Sequence, residues 1–582
     1  MVKKRWIFRQ VDREQQVALA HTLSISPITA SVLLARGVST KEQAHSWLSP
    51  HQTALHDPFL LPDMEKAIER LHQAVTARER ICFYGDYDVD GISATSLYLT
   101  FFRSLGADAA VYIPHRVREG YGLNEHALRE LTKGGVRLLV TSDCGTTSHH
   151  EVEVANRLGL DVIITDHHQL EASMPPALAV LNPHRADSGY PFNGLCSGGL
   201  AYKVAQAYEE KYGGGELALE SLLDLVALAT IADVVPLRDE NRFFVREGLA
   251  LISQGAHCGI RALKQVAGVD GVCTTGTVAF RLAPRINAAG RLADAGVGVR
   301  LLTTESDREA RDLAEQLERL NRERQRIEKE TTAEALAAVG STETPAALVL
   351  GARHWHLGVV GIVAARLVER YYRPAVVVAV NQNGIGKGSA RSVPGFDLYH
   401  ALSRCRDLLE GFGGHPFAAG LTIRESRLPE FRDRFAEIAA EWSGDQPQGP
   451  MLHVDAEVSL QEVDQQLVRE LDMLRPFGAG NPEPTLVVRN LAILDNRVVG
   501  NRHLKLMVRH GNSLPFDSIG FRMGSLADLG LSAERAVDLA FVPELSRWNG
   551  LDRIQLRIRD VQAGLNLQSD TCRTRPSQRS TS

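Results

Sequence analysis

From residue 81 onward, short apolar runs alternate with longer segments of helical pattern. ICFYG (81–85), RLLVTSD (137–143), DVIITD (161–166) and ALAVLN (177–182) are each too short for a core helix, and several are rich in β-branched residues. That rhythm predicts an α/β fold with a mainly parallel sheet. The texture changes at Thr304. From Ser306 to Val339 there is no Gly or Pro, and Leu313, Leu317, Leu320 and Ile327 recur among many charges. Ser306 with Glu309 reads as a capping box and Gly340 as a stop, which predicts one helix of about 34 residues, near 50 Å long. Such a helix is either a solvated connector or one that also sets the geometry between two domains flanking a cleft. A second α/β unit follows, with AALVLG (346–351) and PAVVVAV (374–380) as strands. It closes with a helix that has Phe431, Phe435, Ile438, Ala439 and Trp442 on one face. SGDQPQGPM (443–451) reads as a linker. Beyond it the period becomes two: LKLMV (504–508), a tight turn at WNG (548–550), then RIQLRIR (553–559) with Ile554, Leu556 and Ile558 facing one way. This is a β-rich module, expected to be a small barrel.

These changes of pattern divide the chain into an N-terminal segment (1–60), a first α/β domain (61–303), a connecting helix (304–340), a second α/β domain (341–442), a linker (443–450), a β module (451–565) and a tail (566–582) expected to be disordered. With 582 residues, three to five folding units is the ordinary expectation. Sixty-five Lys and Arg against 70 Asp and Glu leave a net charge of −5, which excludes a histone-like coat of positive charge, so nucleic acid would have to bind in a local groove. The seven cysteines stand singly with no C-x-x-C pair, which excludes a zinc finger or a thioredoxin-type motif and leaves oxygen and histidine to hold any metal. No stretch approaches 18 uncharged apolar residues, and MVKKRWIFRQVDREQQ carries charges where a signal peptide needs an apolar core. A cytoplasmic protein with no membrane association is expected.

The strongest chemical signal is GDYDVDG (85–91), which places Asp86, Asp88 and Asp90 directly after an apolar strand. Asp88 and Asp90 can converge only if something positive offsets their repulsion, and a divalent cation is the usual answer. Counted from Asp86, loop position 6 is the Gly91 that an EF-hand needs but position 12 is Leu97 in place of Glu, which argues against calcium of that type. Two more strands end in similar groups: Thr141-Ser142-Asp143, and Thr165-Asp166-His167-His168. In open parallel sheets functional groups gather at the carboxyl ends of strands, so these endings should meet at one edge. Asp233 sits where a helix-like apolar stretch stops before Pro236. Carboxylates and imidazoles without a thiolate suit hard or borderline cations such as Mn²⁺ or Mg²⁺.

DYDVDG, the TSDCG segment and the consecutive Asp166-His167-His168 resemble the DHH phosphoesterase superfamily. IPHRVREGYGLN (113–124), PRINAAGRL (284–292), WHLGVVGIVAARL (355–367), GKGSARSVPGFDL (386–398), GGHPFAAG (413–420), LRPFGAGNPEP (474–484) and HLKL (503–506) follow in the order found in its RecJ-type family of bacterial single-strand-specific exonucleases. The resemblance runs from about residue 5 to residue 560. It implies a DHH domain, a DHHA1 domain and an oligonucleotide-binding (OB) domain, with Asp88, Asp90, Asp143, His167 and Asp233 as ligands of two ions, Mn²⁺ or Mg²⁺. Asp143 would bridge the ions, Asp86 would be a further acid of the metal motif, and His168 would lie toward the substrate phosphate. The implied activity is 5′-to-3′ hydrolysis of single-stranded DNA to mononucleotides in recombination and repair. A single-strand-binding protein and a RecQ-type helicase are the implied partners, and the enzyme is expected to be a monomer.

Two cations can clamp the attacking and leaving oxygens of an in-line displacement at phosphorus. The protein must then grip the phosphates, and arginine's planar fork suits that task. Arg116, Arg285 and Arg291 on the first domain, and Arg391 with Ser389 and His415 on the second, are candidates, each beside Gly, Ser or Pro in what reads as a loop. The glycines of NGIGKGSARS (383–392) could equally make a hairpin. In RIQLRIR, Arg553, Gln555, Arg557 and Arg559 occupy the face opposite the apolar one, and the resemblance favours their use on nucleic acid. Two rival readings are a phosphodiesterase for short oligonucleotides or small phosphoesters, which needs no module after residue 450, and a non-catalytic DNA-binding scaffold, which would be expected to have lost ligands.

Overall fold

The computed structural model describes residues 4–48, 55–171, 173–340, 345–443, 449–500, 502–529, 536–548 and 551–564. The strands in chain order are β1 (Arg5–Phe8), β2 (Arg80–Gly85), β3 (Ala109–Tyr112), β4 (Val136–Ser142), β5 (Asp161–Thr165), β6 (Ala179–Leu181), β7 (Leu348–Ala352), β8 (Ala375–Val380), β9 (Ile385–Arg391), β10 (Leu409–His415), β11 (Ala418–Arg424), β12 (Met451–Val454), β13 (Ala456–Glu457), β14 (Leu486–Val499), β15 (His503–Arg509), β16 (Phe516–Gly520), β17 (Val537–Trp548) and β18 (Leu551–Ala563). The described residues divide between two units, one drawn from 51–449 with 478–480, the other from 3–50, 450–477 and 481–582.

In the first unit, the four apolar runs become strands of a five-stranded sheet of order β3-β2-β4-β5-β6, parallel throughout. Every residue of β2 after Arg80 is buried, as a parallel sheet covered on both faces requires. β3 has only four residues, AAVY, at the sheet edge, too little pattern to be read from sequence. The long helix spans Asp307–Val339 with Ser306 as its N-cap, and Ser306 accepts a hydrogen bond from the Glu309 amide. Only half of the capping box forms, because the Glu309 carboxylate takes the Thr304 hydroxyl instead. Leu313 and Leu317 are buried in the core of the parallel sheet, whereas Ala335 belongs to a core with Leu348 and Val363. One helix therefore serves two cores, which favours the geometry-setting reading over a solvated connector.

The second sheet of this unit has the order β10-β11-β9-β8-β7, and only β7 and β8 run parallel. NGIGKGSARS is a hairpin turn leading into β9: the Asn381 amide donates to Ile385 O at 2.9 Å. Phe431, Phe435, Ile438 and Ala439 of the Leu428–Ser443 helix are buried against this sheet, with Trp442 partly covered.

In the second unit β1 pairs in parallel with β12, Arg5 opposite Met451. A further sheet runs β13-β14-β15-β16-β18-β17, and β14 also pairs with β17. Its core joins Leu19, Ile28 and Leu33, from helices Arg13–Leu23 and Pro27–Leu34, to Val458, Leu504 and Phe541. The N-terminal residues are thus part of the module that follows residue 450, a long-range association no local pattern reveals. Leu556 and Ile558 are buried as expected. Two of the three arginines on the polar face of RIQLRIR already have acidic partners: Arg557 pairs with Glu483 at 2.6 Å and Glu544 at 3.1 Å, and Arg559 also meets Glu483. Most of the expected linker, positions 549 and 550 of the WNG turn, and the tail lie outside the described residues. Among the described residues no single helix is long and apolar enough to cross a membrane.

Candidate metal centre and the groove facing it

β2, β4 and β5 are neighbours in register, with Gly85 opposite Ser142 and Ser142 opposite Thr165. The residues that follow each strand therefore emerge side by side at one sheet edge. Asp86 follows β2, Asp143 follows β4, and Asp166, His167 and His168 follow β5. Asp88 caps the Val89–Ser104 helix, its carboxylate accepting from the Asp90 amide at 2.9 Å and the Gly91 amide at 3.2 Å. Asp90, in the first turn, is gripped by the amides of Ser197 and Gly198, each at 2.8 Å, at the start of the Ser197–Tyr212 helix. Asp233 ends the Leu223–Ala232 helix as its C-cap. Asp143 adopts φ 67°, a left-handed conformation that a non-glycine residue holds only where its surroundings enforce it.

His167 Nε2 lies 3.1 Å from Asp143, and 3.6 Å from each of Asp90 and Asp233. Three groups of ligand atoms, each within 4.8 Å of one another, result: Asp86, Asp88 and Asp143; Asp90, His167 and Asp233; and Asp143, His167 and His168. Asp143 is shared by the first and third groups, which suits a bridge.

The electrostatics call for a cation. Burial, then Asp88, raise the Asp86 carboxyl well above its usual range, and burial with Asp88, Asp90, Asp86 and Asp233 does the same to Asp143. Asp90 is raised by burial and Asp88 against the partial relief of His167. Asp233 is pushed up to about 8 by burial, Asp90 and Asp88. His167 is lowered, burial being the main cause, so it favours the neutral form that ligates metal. Asp86 Oδ1 is buried without a hydrogen-bond partner. Crowded acids, a neutral imidazole and an orphaned carboxylate oxygen fit a pair of hard cations.

His168 is different. Burial disfavours its charge, but a 2.7 Å hydrogen bond from Nδ1 to Asp166 outweighs that and raises it to about 9. Asp166 in turn is lowered to about 2, despite burial, by His168 and by Thr146. The same carboxylate accepts the backbone amides of His167 and His168. Asn182, just after β6, holds the His168 carbonyl at 2.9 Å, and the Tyr121 hydroxyl donates to Asp143 O at 2.8 Å. The sequence marks Asp166 as part of the triplet but gives it no role, and it does not single out Asn182 or Tyr121 at all. The one available signal is an acid immediately preceding two histidines.

Across the cleft, the His415 ring lies 6.4 Å from that of His168 and nearly parallel to it. A groove of about 730 Å³ lies beside this pair, lined by Tyr87, Arg116 and Tyr121, whose hydroxyl is 3.3 Å from His168 Nδ1, on one side and by Ser389, Arg391 and the glycine-rich β10–β11 hairpin on the other. Arg391 donates to Ser389 Oγ at 2.9 Å, and Arg116 lies over the Tyr87 ring at 4.8 Å. Arg291 donates to Gly358 O at 2.9 Å, and burial with repulsion from Arg116, Arg324 and Arg391 lowers it to about 10. Arg391 is likewise lowered by burial and by Arg116. Mutual repulsion among these guanidiniums favours an anion held beside them.

Two expectations need correction. Arg285 is not brought to the groove: it pairs with Glu318 of the long helix at 2.7 Å, both side chains mostly buried. Nor do Arg285 and Arg291 stand in a loop, since Ala283–Leu292 is a helix. Gly290 there serves close packing, because a Cβ would stand 2.3 Å from Tyr87 O.

A parallel sheet carrying a clustered acid and histidine edge, joined by a long helix to a mixed sheet with an anion groove, is the architecture of the DHH phosphoesterases. Residues 80–230 match the DHH family N-terminal domain, 345–441 the DHHA1 domain and 454–560 the RecJ OB domain. The chain is 40% identical over 566 residues to the single-stranded-DNA-specific exonuclease RecJ of Bacillus subtilis, covering 96% of this chain and 71% of that protein. It is 36% identical to RecJ of Escherichia coli, covering 86% and 90%. The crystal structure of RecJ in complex with Mn²⁺ from Thermus thermophilus superposes with a TM-score of 0.83 at 32% identity, over 96% of this chain and 79% of the other. The chain belongs to the RecJ family.

Proposed function

We propose that this protein is a metal-dependent exonuclease that hydrolyses single-stranded DNA from the 5′ end to 5′-mononucleotides, in DNA recombination and repair. The observation that carries this reading is the pairing, across one cleft, of a cation-demanding acid cluster with an anion-demanding groove, His168 facing His415 at 6.4 Å. Asp86, Asp88, Asp90, Asp143, His167 and Asp233 would hold two ions, Mn²⁺ or Mg²⁺, with Asp143 shared. When bound, the ions neutralise charge on the scissile phosphodiester and lower the pKa of water.

The remaining work falls to side chains. His168, kept cationic by Asp166, meets a non-bridging phosphate oxygen. Arg391, Ser389 and His415 hold the 5′-terminal phosphate, and Arg116, braced on Tyr87, guides the strand between groove and acids. Fixing the terminal phosphate sets the next phosphodiester over the acid cluster, and that spacing gives the 5′-to-3′ direction. A single-strand-binding protein and a RecQ-type helicase as partners, a monomeric state and a cytoplasmic location accompany this reading on family kinship and sequence pattern.

The test is a single strand labelled at either end. A 5′ label should appear at once as mononucleotide and a 3′ label should shorten gradually, and chelator should stop both. Immediate release of the 3′ label would contradict the polarity, and equal turnover of duplex would contradict single-strand selectivity.

A further inference from the structure

The groove extends beyond the residues that would hold a terminal phosphate. Strands β9, β11 and β10 are in antiparallel register, which sets three rows across one face of the sheet: Arg391–Ala418–His415, Ser389–Gly420–Gly413 and Lys387–Thr422–Gly411. The intervening Gly388, Ala390, Ala419 and Leu421 are buried, so the rows share the outward face. The first row faces His168. The third lies four residues along β9, about 13 Å from the first at the usual strand rise. It brings an exposed ammonium and a hydroxyl beside two open glycine positions, since a Cβ at Gly411 or Gly413 would meet nothing within 4 Å. Lys387, Thr422 and Gly411 line the same groove as Ser389 and Arg391, and among the described residues no carboxylate lines it.

Holding one terminal phosphate leaves the third row without a task. If the 5′-terminal phosphate sits at the first and second rows and the strand leads from there to the acids, only a group attached to that phosphate can reach the third. An ammonium on a flexible stem beside a hydroxyl, in a groove free of acids, selects anionic oxygen. We infer that Lys387 and Thr422 form a subsite for the outer phosphates of a 5′-triphosphorylated single strand. The assignment rests on the 5′-end reading above and adds a substrate class to it. The bond broken is unchanged. A water oxygen joins the first internucleotide phosphorus, the 3′ oxygen of the first nucleotide leaves and takes up a proton, and the product is a nucleoside 5′-triphosphate in place of a monophosphate.

The experiment compares kcat/KM for otherwise identical single strands bearing a 5′-triphosphate or a 5′-monophosphate, in the wild type and in Lys387→Ala, Lys387→Arg and Thr422→Val. The wild type should turn over the triphosphate strand at no less than one tenth of the monophosphate value, releasing nucleoside triphosphate. Lys387→Ala should lower the ratio of the two values at least tenfold, Lys387→Arg should restore it, and Thr422→Val should lower it less. A wild-type ratio below one tenth, or one that Lys387→Ala leaves unchanged, would overturn the subsite. Inorganic tripolyphosphate that inhibits at concentrations below the KM of the triphosphate strand would reassign the groove to the free anion. Failure to release the first nucleotide from the monophosphate strand would instead overturn the 5′-end reading and the subsite with it.

Discussion

The acid cluster depends on how closely the Val89–Ser104 helix approaches the end of β2, and Gly91 controls that approach. A Cβ at position 91 would stand 2.5 Å from Asp86 N, 2.7 Å from Asp86 O and 2.8 Å from Asp86 Cα, all backbone atoms that no rotamer change can move aside. Restoring ordinary contact at 3.4 Å requires the helix start and the Asp86 turn to separate by about 0.9 Å. Asp88 and Asp90 travel with the helix, while Asp86, Asp143 and His167 stay with the sheet. Metal ligation tolerates errors of roughly 0.2 Å, and a misplacement near 1 Å costs about 100-fold in rate. Gly91→Ala should therefore lower kcat on single-stranded DNA by about 100-fold and weaken Mn²⁺ binding, measured by titration calorimetry, at least tenfold. Overpacking of this kind costs about 1–3 kcal/mol, so the fold should survive with a lower melting temperature and an unchanged circular dichroism spectrum. Binding of single strands in chelator should stay within about twofold. A Gly91→Ala protein whose Mn²⁺ affinity and turnover both lie within threefold of wild type would refute the link between helix position and the metal cluster.

Asp143→Ala should abolish hydrolysis while binding of single strands persists in a gel-shift assay; normal turnover would remove the shared-ligand assignment. Asp233 is raised to about 8 in the fold from an ordinary value of 3.8, so the folded state binds the extra proton, and stability present below pH 4 is lost as pH rises toward 8. Mn²⁺ should consequently raise the melting temperature of metal-free protein more at pH 8 than at pH 5, and equal shifts would count against the carboxylate crowding. Arg285→Ala and Glu318→Ala should each destabilise by about 3 kcal/mol, as breaking a buried pair does, with non-additive effects in the double variant and a KM for DNA within twofold of wild type. A large rise in KM with intact stability would return Arg285 to the substrate. Arg391→Ala should erase the preference for a 5′-phosphorylated over a 5′-hydroxyl strand, read as a ratio of kcat/KM; an undiminished preference would place the terminal pocket elsewhere.

The catalytic edge is legible in the sequence because parallel topology makes strand ends converge: once ICFYG, RLLVTSD and DVIITD are recognised as neighbouring strands, the acids and histidines after them must meet. Asp233 is legible as the end of an apolar helix. What the pattern does not carry is which polar side chains already have partners. Arg285, Arg557 and Arg559 look like phosphate ligands until Glu318, Glu483 and Glu544 are placed beside them, and those carboxylates lie 33 residues or more away from Arg285 and 13 or more from Arg557. Glycine is ambiguous in the same way. Gly290 reads as a loop residue but permits helix packing, and the glycines of NGIGKGSARS, which suit a phosphate loop or a hairpin equally well in the sequence, serve the hairpin. Packing of the N-terminal helices with residues beyond 450 is a contact between sequence-distant apolar faces, and no local period encodes its partner.

That last association bears on how the molecule is made. Trp6 donates to Asp560, 554 residues downstream, and Leu19, Ile28 and Leu33 have their burial partners beyond residue 450. On a ribosome adding about 5–20 residues per second, some 400 residues intervene, so the first apolar helices wait roughly 20–80 s for their core to be synthesised. Meanwhile the DHH and DHHA1 portions have all their sequence available and can form first. Birth order and folding order are thus inverted at the N-terminus, which makes its helices a natural binding target for holdase chaperones during translation.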